Sequence, residues 1–139
     1  MRYRLLEHTA DLMVAVYGKD LPELFCNAAF MLFDIMVDIK QVEPKLNEPV
    51  ELKSIDLEEL FLDWLRELLY RFSIRGFVPN RVAIEHLNPA SFELKAQLTG
   101  EVYQPDKHGL KIEIKTPTYH KYRLEQNATG WIATVVLDV

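Results

Sequence analysis

Hydrophobic and polar residues change their spacing several times along the chain, and these changes delimit the predicted elements. Residues 2–7 are mixed and residues 12–17 are apolar and rich in β-forming side chains, so the chain opens with two predicted strands. Gly18 closes the second of them. The apolar residues that follow recur at helical spacing: Leu21, Leu24, Phe25, Ala28, Leu32, Ile35 and Met36. This spacing predicts an amphipathic helix with one wide apolar face.

A second predicted helix begins with the same polar residues as the first. Asp20 and Asp56 are good N-cap residues, and Glu23 and Glu59 follow three positions later, as in a capping box. The apolar stripe of the second helix consists of Leu57, Leu60, Phe61, Trp64, Leu65, Leu68 and Phe72. Gly76 is predicted to end this helix as a glycine just past its last turn.

Elsewhere, polar and apolar residues alternate as they do in half-buried strands. Residues 38–49 contain two prolines and predict a loop, which leads into a strand over 50–55. Further strands are predicted over 81–87, 92–103, 110–115, 121–125 and 131–137. Pro117 should break a ladder or mark an edge strand, and so re-aim Thr118, Tyr119 and His120. The element order predicts one α+β domain over residues 1–139, with two amphipathic helices packed on a largely antiparallel β-sheet structure.

Composition narrows the class of protein. The 16 basic and 21 acidic residues give a formal net charge of −5, and direct nucleic-acid binding is not expected because phosphate contacts need a basic surface. The single cysteine, Cys26, cannot form an internal disulfide and is predicted to be a buried, inert thiol. No apolar run approaches the length of a membrane span, and no signal peptide is recognisable. A cytoplasmic protein without a membrane contact is therefore expected.

The residues outside the helices suggest a cation site rather than a standard active site. No nucleophile motif, phosphate-binding loop or paired-cysteine zinc motif is present. Asp11 lies at the corner between the first two strands, where it could equally be an ordinary turn residue. Asp138 and the α-carboxylate of Val139 would offer up to four oxygens, and Asp11 could add another. Hard cations such as Ca²⁺ or Mg²⁺ prefer such oxygen ligands.

The histidines leave other interpretations open. His8, His108 and His120 each flank a polar turn or a strand end, so they could form a transition-metal site with nearby carboxylates. His86 has the position of a structural residue in a strand. A metal-dependent hydrolase would use His8 or His120 as its base. A third possibility is an interaction module in which the carboxylates serve only the structure.

Several motifs, in the same order over the full length, resemble those of the archease family. They are E-H-T-A-D at 7–11, G-K-x-L-x-E-L-F at 18–25, D-L-x-E-L-x-x-D-W-L-x-E-L-L-Y at 56–70, G-E at 100–101, His108, K-x-x-T-Y-H at 115–120 and W-x-A-x-V-x-x-D-V at 131–139. The sequence departs from the family pattern at Pro117, where a small β-branched or apolar residue is expected, and at Leu12-Met13, which is bulkier than usual. Neither departure involves the candidate ligands.

The resemblance implies a non-catalytic activator of the RtcB-type RNA ligase that joins tRNA exons. Such a protein promotes guanylylation and multiple turnover of the ligase and broadens its nucleotide choice, and it meets tRNA only through the ligase. The resemblance also implies a divalent cation, calcium above all with Mg²⁺ or Mn²⁺ as alternatives, held by Asp11, Asp138 and Val139. Glu43 matches an acidic residue of the loop between the helices. Together with His8 and His120, Glu43 is expected to support the site or contact the partner.

Overall fold

The computed structural model describes all 139 residues and contains seven strands. The strands are β1 (Tyr3–His8), β2 (Asp11–Gly18), β3 (Leu46–Lys53), β4 (Phe77–Asn88), β5 (Glu93–Val102), β6 (Thr116–Asn127) and β7 (Gly130–Asp138). The helices are α1 (Leu21–Met36), α2 (Leu57–Arg75) and the short α3 (Pro105–His108), with one 3₁₀ turn at Ile39–Gln41. No helix is long and apolar enough to cross a membrane.

The strands form two separate sheets. One has the order β1-β2-β7-β6 and the other the order β3-β5-β4. Every strand pairing is antiparallel. Both long helices contact strands of both sheets, so the helices bring the two sheets together. The predicted α+β fold is confirmed.

The core lies where α1 and α2 meet between the sheets. The Phe25 and Phe61 rings pack edge to face with centroids 5.3 Å apart, and both side chains are fully buried. The buried indole of Trp64 donates a hydrogen bond from Nε1 to the Phe25 carbonyl at 2.9 Å. This bond satisfies the polar atom of the largest core side chain, so the apolar stripes of both helices can be buried without leaving that donor unpaired.

The predicted helix boundaries are confirmed by their caps. The Asp20 carboxylate accepts a hydrogen bond from the Glu23 N–H at 2.9 Å, and the Asp56 carboxylate accepts one from the Glu59 N–H at 2.7 Å. Each bond satisfies an N–H that the first turn of a helix leaves unpaired. Gly76 ends α2 with φ 68°. That left-handed conformation strains any residue with a Cβ, which is why glycine occupies the position.

Several strand boundaries differ from the prediction. The strand expected over 50–55 begins at Leu46 and ends at Lys53, so it contains Pro49. A proline is tolerated there because β3 is an edge strand, and an edge strand has one side without a partner. The strand expected over 81–87 begins earlier, at Phe77. The strand expected over 121–125 extends from Thr116 to Asn127 and includes Pro117; as predicted for that proline, β6 is an edge strand.

Residues 110–115 do not form the strand that their alternation predicts. The Lys111 N–H donates to the Met36 carbonyl at 2.7 Å, and the Lys115 N–H donates to the Asp138 carbonyl at 2.8 Å. The segment therefore crosses from the end of α1 to the end of β7 without pairing along its length. Its alternation has another cause, because Ile114 is buried against the core while Lys111 and Lys115 face solvent.

Candidate functional site

Asp11 and Asp138 occupy directly opposite positions on neighbouring strands. They are register partners at one end of the β2–β7 pair, and the next pair along the strands is Leu12 with Leu137. Both leucines are buried in the core. Because side chains alternate between the faces of a sheet, Asp11 and Asp138 lie together on the opposite, outer face. The strands therefore bring two carboxylates, 127 positions apart by their residue numbers, to one place.

Neither carboxylate has a partner within the protein. No Lys, Arg or His nitrogen lies within 4.0 Å of either one. No hydrogen bond is donated to either side chain. Their main chains, by contrast, are fixed: the Asp138 carbonyl accepts from the Lys115 N–H, and the Asp11 carbonyl accepts from the Thr9 N–H. The two carboxylates are thus held in place and left unpaired.

A small cleft of about 170 Å³ adjoins Asp11 on this outer face. It is lined by Glu7, Thr9, Asp11, Met13, His120, Lys121 and Val136. The structure therefore gathers the polar corner of residues 7–11 and the polar residue His120, which the sequence could only suggest. Two carboxylates, Glu7 and Asp11, and the hydroxyl group of Thr9 share the cleft with the ammonium group of Lys121.

An irregularity in β6 turns His120 and Lys121 toward the cleft. The register of β6 against β7 shifts between Thr118 and Arg123, and Lys121 has φ 55° within this interval. Bulges of this kind re-aim side chains locally. Pro117 and Thr118 pair with Leu137 and Val136 in regular register, so the predicted re-aiming of Thr118 is wrong. The irregularity begins after Thr118 and includes Tyr119 and His120.

The remaining predicted site residues, including Asp138, do not line this cleft. His8 is paired with Leu12 across β1 and β2, is exposed, and does not line the cleft. Val139 directly follows Asp138 and packs in part against the core. Glu43 lies outside the cleft; its carboxylate accepts a hydrogen bond from Lys107 Nζ at 2.6 Å. No three His, Cys, Asp or Glu residues form a cluster that could hold a metal ion. A cation at Asp11 and Asp138 would therefore also need main-chain or chain-terminal oxygens.

Glu101 is a buried carboxylate whose environment the sequence did not predict. Its side chain accepts hydrogen bonds from the Glu43 N–H at 2.6 Å and from Lys107 Nζ, and it contacts His108 Nε2 at 3.0 Å. The residue is only 2% exposed. The Glu43 N–H and the Lys107 ammonium together lower the pKa of Glu101 from 4.5 to about 2. Glu101 therefore remains charged inside the protein and is fully partnered.

His108 belongs to this buried network and not to a metal site. Its Nδ1 accepts a hydrogen bond from the Gln104 N–H at 2.9 Å, which assigns the ring proton to Nε2. Nε2–H then donates to Glu101. Both ring nitrogens are engaged and the side chain is 1% exposed, so His108 is not available to a metal. The suggested transition-metal site of His8, His108 and His120 is therefore wrong. Only the motif residues Gly100-Glu101 and His108 hinted at this network, and nothing in the sequence showed that they pair.

Comparison with known proteins agrees with this structure. Residues 3–139 match the model of the archease protein family. The chain is 39% identical over 140 residues to the Protein archease of Methanosarcina mazei, a match that covers 99% of this chain and 96% of the relative. It is 42% identical over 135 residues to the Protein archease of Thermococcus kodakarensis, with 96% and 95% covered.

Two solved structures have the same fold. The solution structure of Methanobacterium thermoautotrophicum protein 1598 matches with a TM-score of 0.76 and 29% identity, over 99% of both chains. The crystal structure of a Thermotoga maritima archease, described as a possible chaperone, matches with a TM-score of 0.66 and 23% identity, over 98% of this chain and 96% of that one. None of these names describes an enzyme activity. With a family model that covers nearly the whole sequence and relatives matched end to end, the chain belongs to the archease family.

Proposed function

We propose that this protein is an accessory factor that activates an RtcB-type RNA ligase and holds a divalent cation, calcium above all, at Asp11 and Asp138. The observation that carries the proposal is the pairing of these residues across β2 and β7 with no partner for either carboxylate. Two unpaired carboxylates on facing positions repel one another. A divalent cation between them would relieve that repulsion and satisfy both.

The donor set suits a hard cation. Ca²⁺ usually binds about six to eight oxygen ligands, which come from carboxylates, main-chain carbonyls and water. Asp11 and Asp138 would supply the side-chain oxygens, and the carboxyl group of Val139 is the third proposed ligand. The cation would supply concentrated positive charge beside a cleft that carries two carboxylates and the ammonium group of Lys121. Asp11 and Asp138 would hold it, while Glu7 and His120 would shape the surface around it.

In the ligase complex, the acidic cleft would present or exchange a cation at the ligase active site during guanylylation. His120 lines the cleft and is the better placed of the two histidines to contact the partner, whereas His8 lies outside it. The proposed role needs no nucleophile or base in this chain. A metal-dependent hydrolase receives no support from the names of the relatives, which describe no such activity. Of its two candidate bases, His8 lies outside the cleft and only His120 lines it.

The proposal is tested by ligase guanylylation and multiple-turnover RNA ligation in the presence of this protein. Asp138→Ala is expected to abolish the stimulation while the fold is retained, because it removes half of the carboxylate pair. Asp106→Ala, which removes an exposed carboxylate on α3, is the matched control and should stimulate like the wild type. Equal stimulation by Asp138→Ala and the wild type would overturn the role of the site.

Two further measurements separate the parts of the proposal. A peptide extension after Val139 should weaken calcium binding, because it converts the proposed carboxylate ligand into an amide. Unchanged affinity would remove Val139 from the ligand set but leave Asp11 and Asp138 in it. The purified protein alone should not hydrolyse phosphoesters in the presence of calcium, magnesium or manganese. Reproducible hydrolysis by this chain alone would contradict the assignment as an accessory factor.

A further inference from the structure

A second, larger cleft lies where the two sheets approach each other over α1. Its volume is about 430 Å³, within the usual range of small-molecule sites. Residues of α1 form its floor, Arg2 lies at one side just before β1, and the first half of β4 forms the other side. Since β1 and β4 are both edge strands, the cleft occupies the gap between the sheets.

The charge of this cleft is opposite to that of the protein. Three cationic side chains line it, Arg2, Lys40 and Arg81, and no aspartate or glutamate does. None of the three forms an ion pair with a carboxylate. In a chain with a net charge of −5, acidic side chains are abundant enough to pair with them. Three unpaired cations around one concave surface concentrate positive potential there and favour an anionic ligand.

Asn80 lies at an irregularity in the wall of the cleft. The register of β4 against β5 shifts between Pro79 and Arg81, so Asn80 is the extra residue of a bulge, and it lines the cleft. Its Nδ2 donates to the Val42 carbonyl at 2.8 Å, which ties the bulge to the segment after the 3₁₀ turn. Its Oδ1 is buried and has no hydrogen-bond partner, so it offers no surface to a ligand in the cleft.

The cleft also has an apolar part that suits a flat group. Half of its lining residues are hydrophobic, among them Phe30 and Pro79. The guanidinium of Arg2 lies 4.1 Å from the centre of the Phe30 ring, so that face of the ring holds the cation in place. A few cationic groups beside an apolar wall are a combination by which small-molecule sites orient a ligand.

We propose that this cleft binds a small organic phosphate with a flat, partly apolar body, about the size of a mononucleotide. The phosphate is held by Arg2, Lys40 and Arg81, whose fixed positive charges match a dianion. The flat body packs on the apolar wall formed with Pro79. The site is distinct from the acidic cleft, since the two share no lining residue.

The proposal is tested by titrating the ¹⁵N-labelled protein with adenosine monophosphate and following the amide resonances. The expected result is a saturable shift centred on residues 39–42 and 79–82, with adenosine alone and inorganic phosphate alone each binding at least tenfold more weakly. The binding should persist in EDTA and in Asp138→Ala, so its outcome does not depend on the proposed cation site. No shift at these residues at millimolar nucleotide would overturn the proposal. Preferential binding of a short RNA, with none of the mononucleotide, would also overturn it.

Matched variants locate the binding. Lys40→Glu and Arg81→Glu should each weaken nucleotide binding about tenfold or more, because each replaces a phosphate contact with a repulsive charge. Lys111→Glu makes the same change at an exposed residue outside the cleft and should bind like the wild type. Equal effects of Lys40→Glu and Lys111→Glu would show non-specific attraction and contradict the site.

Discussion

Two sets of carboxylates in this protein differ in their hydrogen-bond partners. Glu101 is buried, and four donors surround it, from the Glu43 main chain and from the side chains of Gln104, Lys107 and His108. Asp11 and Asp138 face each other on the outer surface of a sheet with no donor for either side chain. The protein therefore supplies every partner to the carboxylate it buries and none to the pair it exposes.

This difference separates a structural charge from one available to a ligand. Glu101 ties the loop after the 3₁₀ turn to α3, since Glu43 and Lys107 belong to those two segments. Its interactions are complete, so it has nothing left to offer a partner. Asp11 and Asp138 tie nothing together through their side chains, although their main chains are held by neighbouring segments. A positioned but unsatisfied carboxylate pair suits a cation supplied from solution.

The largest expected loss of stability comes from a substitution of the buried carboxylate, Glu101. Glu101→Ala removes the common acceptor of the Glu43 N–H, Lys107 and His108, and leaves buried donors without a partner. We expect it to lower the free energy of unfolding more than any substitution at Asp11 or Asp138. Urea unfolding followed by circular dichroism measures the loss. A variant as stable as the wild type would show that Glu101 does not hold these segments together.

Acid should destabilise the protein by protonating the same carboxylate, Glu101. The folded-state pKa of Glu101, about 2, lies below its ordinary value of 4.5. Its stabilisation is therefore fully present above pH 4.5 and is lost as the pH falls from about 4.5 toward 2. Melting temperatures measured across this range should fall less steeply in Glu101→Gln than in the wild type. Parallel curves for the two proteins would contradict the assignment of this pKa.

A smaller loss is expected from His108→Phe. The change retains a ring of similar shape but removes the Nε2–H donor to Glu101 and the Nδ1 acceptor of the Gln104 N–H. Leaving such buried groups unpaired costs about 1–3 kcal/mol. The control is His86→Phe, at an exposed histidine of β4, which should change the free energy of unfolding by no more than about 0.5 kcal/mol. Equal losses for the two variants would contradict a structural role for His108.

The smallest effect on stability should come from the exposed pair. Without a divalent cation, Asp11→Asn and Asp138→Asn should each change the free energy of unfolding by about 0.5 kcal/mol or less, because neither carboxylate has a protein partner to lose. We expect this change to be a slight gain in stability, because each substitution relieves the repulsion between the two carboxylates. Thermal unfolding in EDTA measures the change. A large loss in EDTA would mean that these carboxylates stabilise the fold directly.

Much of the fold followed from the sequence. The helices were predictable because Asp20 and Asp56 begin apolar stripes at helical spacing and Gly76 ends the second one. The spacing of residues along the chain does not show, however, which strands pair with one another. The alternation over 110–115 predicts a strand, although that segment pairs with no strand along its length. The sequence predicts a loop at Pro49 because it does not show that β3 is an edge strand.

The candidate site was predictable only in part. Asp11 and Asp138 stood out as acids at strand ends, and their pairing required the register of β2 and β7. The Glu101–His108 contact was not predictable, because it joins a strand to a four-residue helix too short to leave a periodic pattern. The basic cleft is not predictable for a similar reason: Arg2, Lys40 and Arg81 are far apart in sequence and line one cleft only in the folded chain.

Calorimetric titration of calcium into the cation-free protein, compared between the wild type and Asp138→Asn, tests the central claim most directly. The wild type should bind about one calcium ion per chain. Free calcium at about 100 times the dissociation constant should then raise the free energy of unfolding by about 2.7 kcal/mol. Asp138→Asn should lose both the binding and the gain in stability. Calcium binding of equal affinity in the two proteins, or none in the wild type, would contradict a cation site at the Asp11–Asp138 pair.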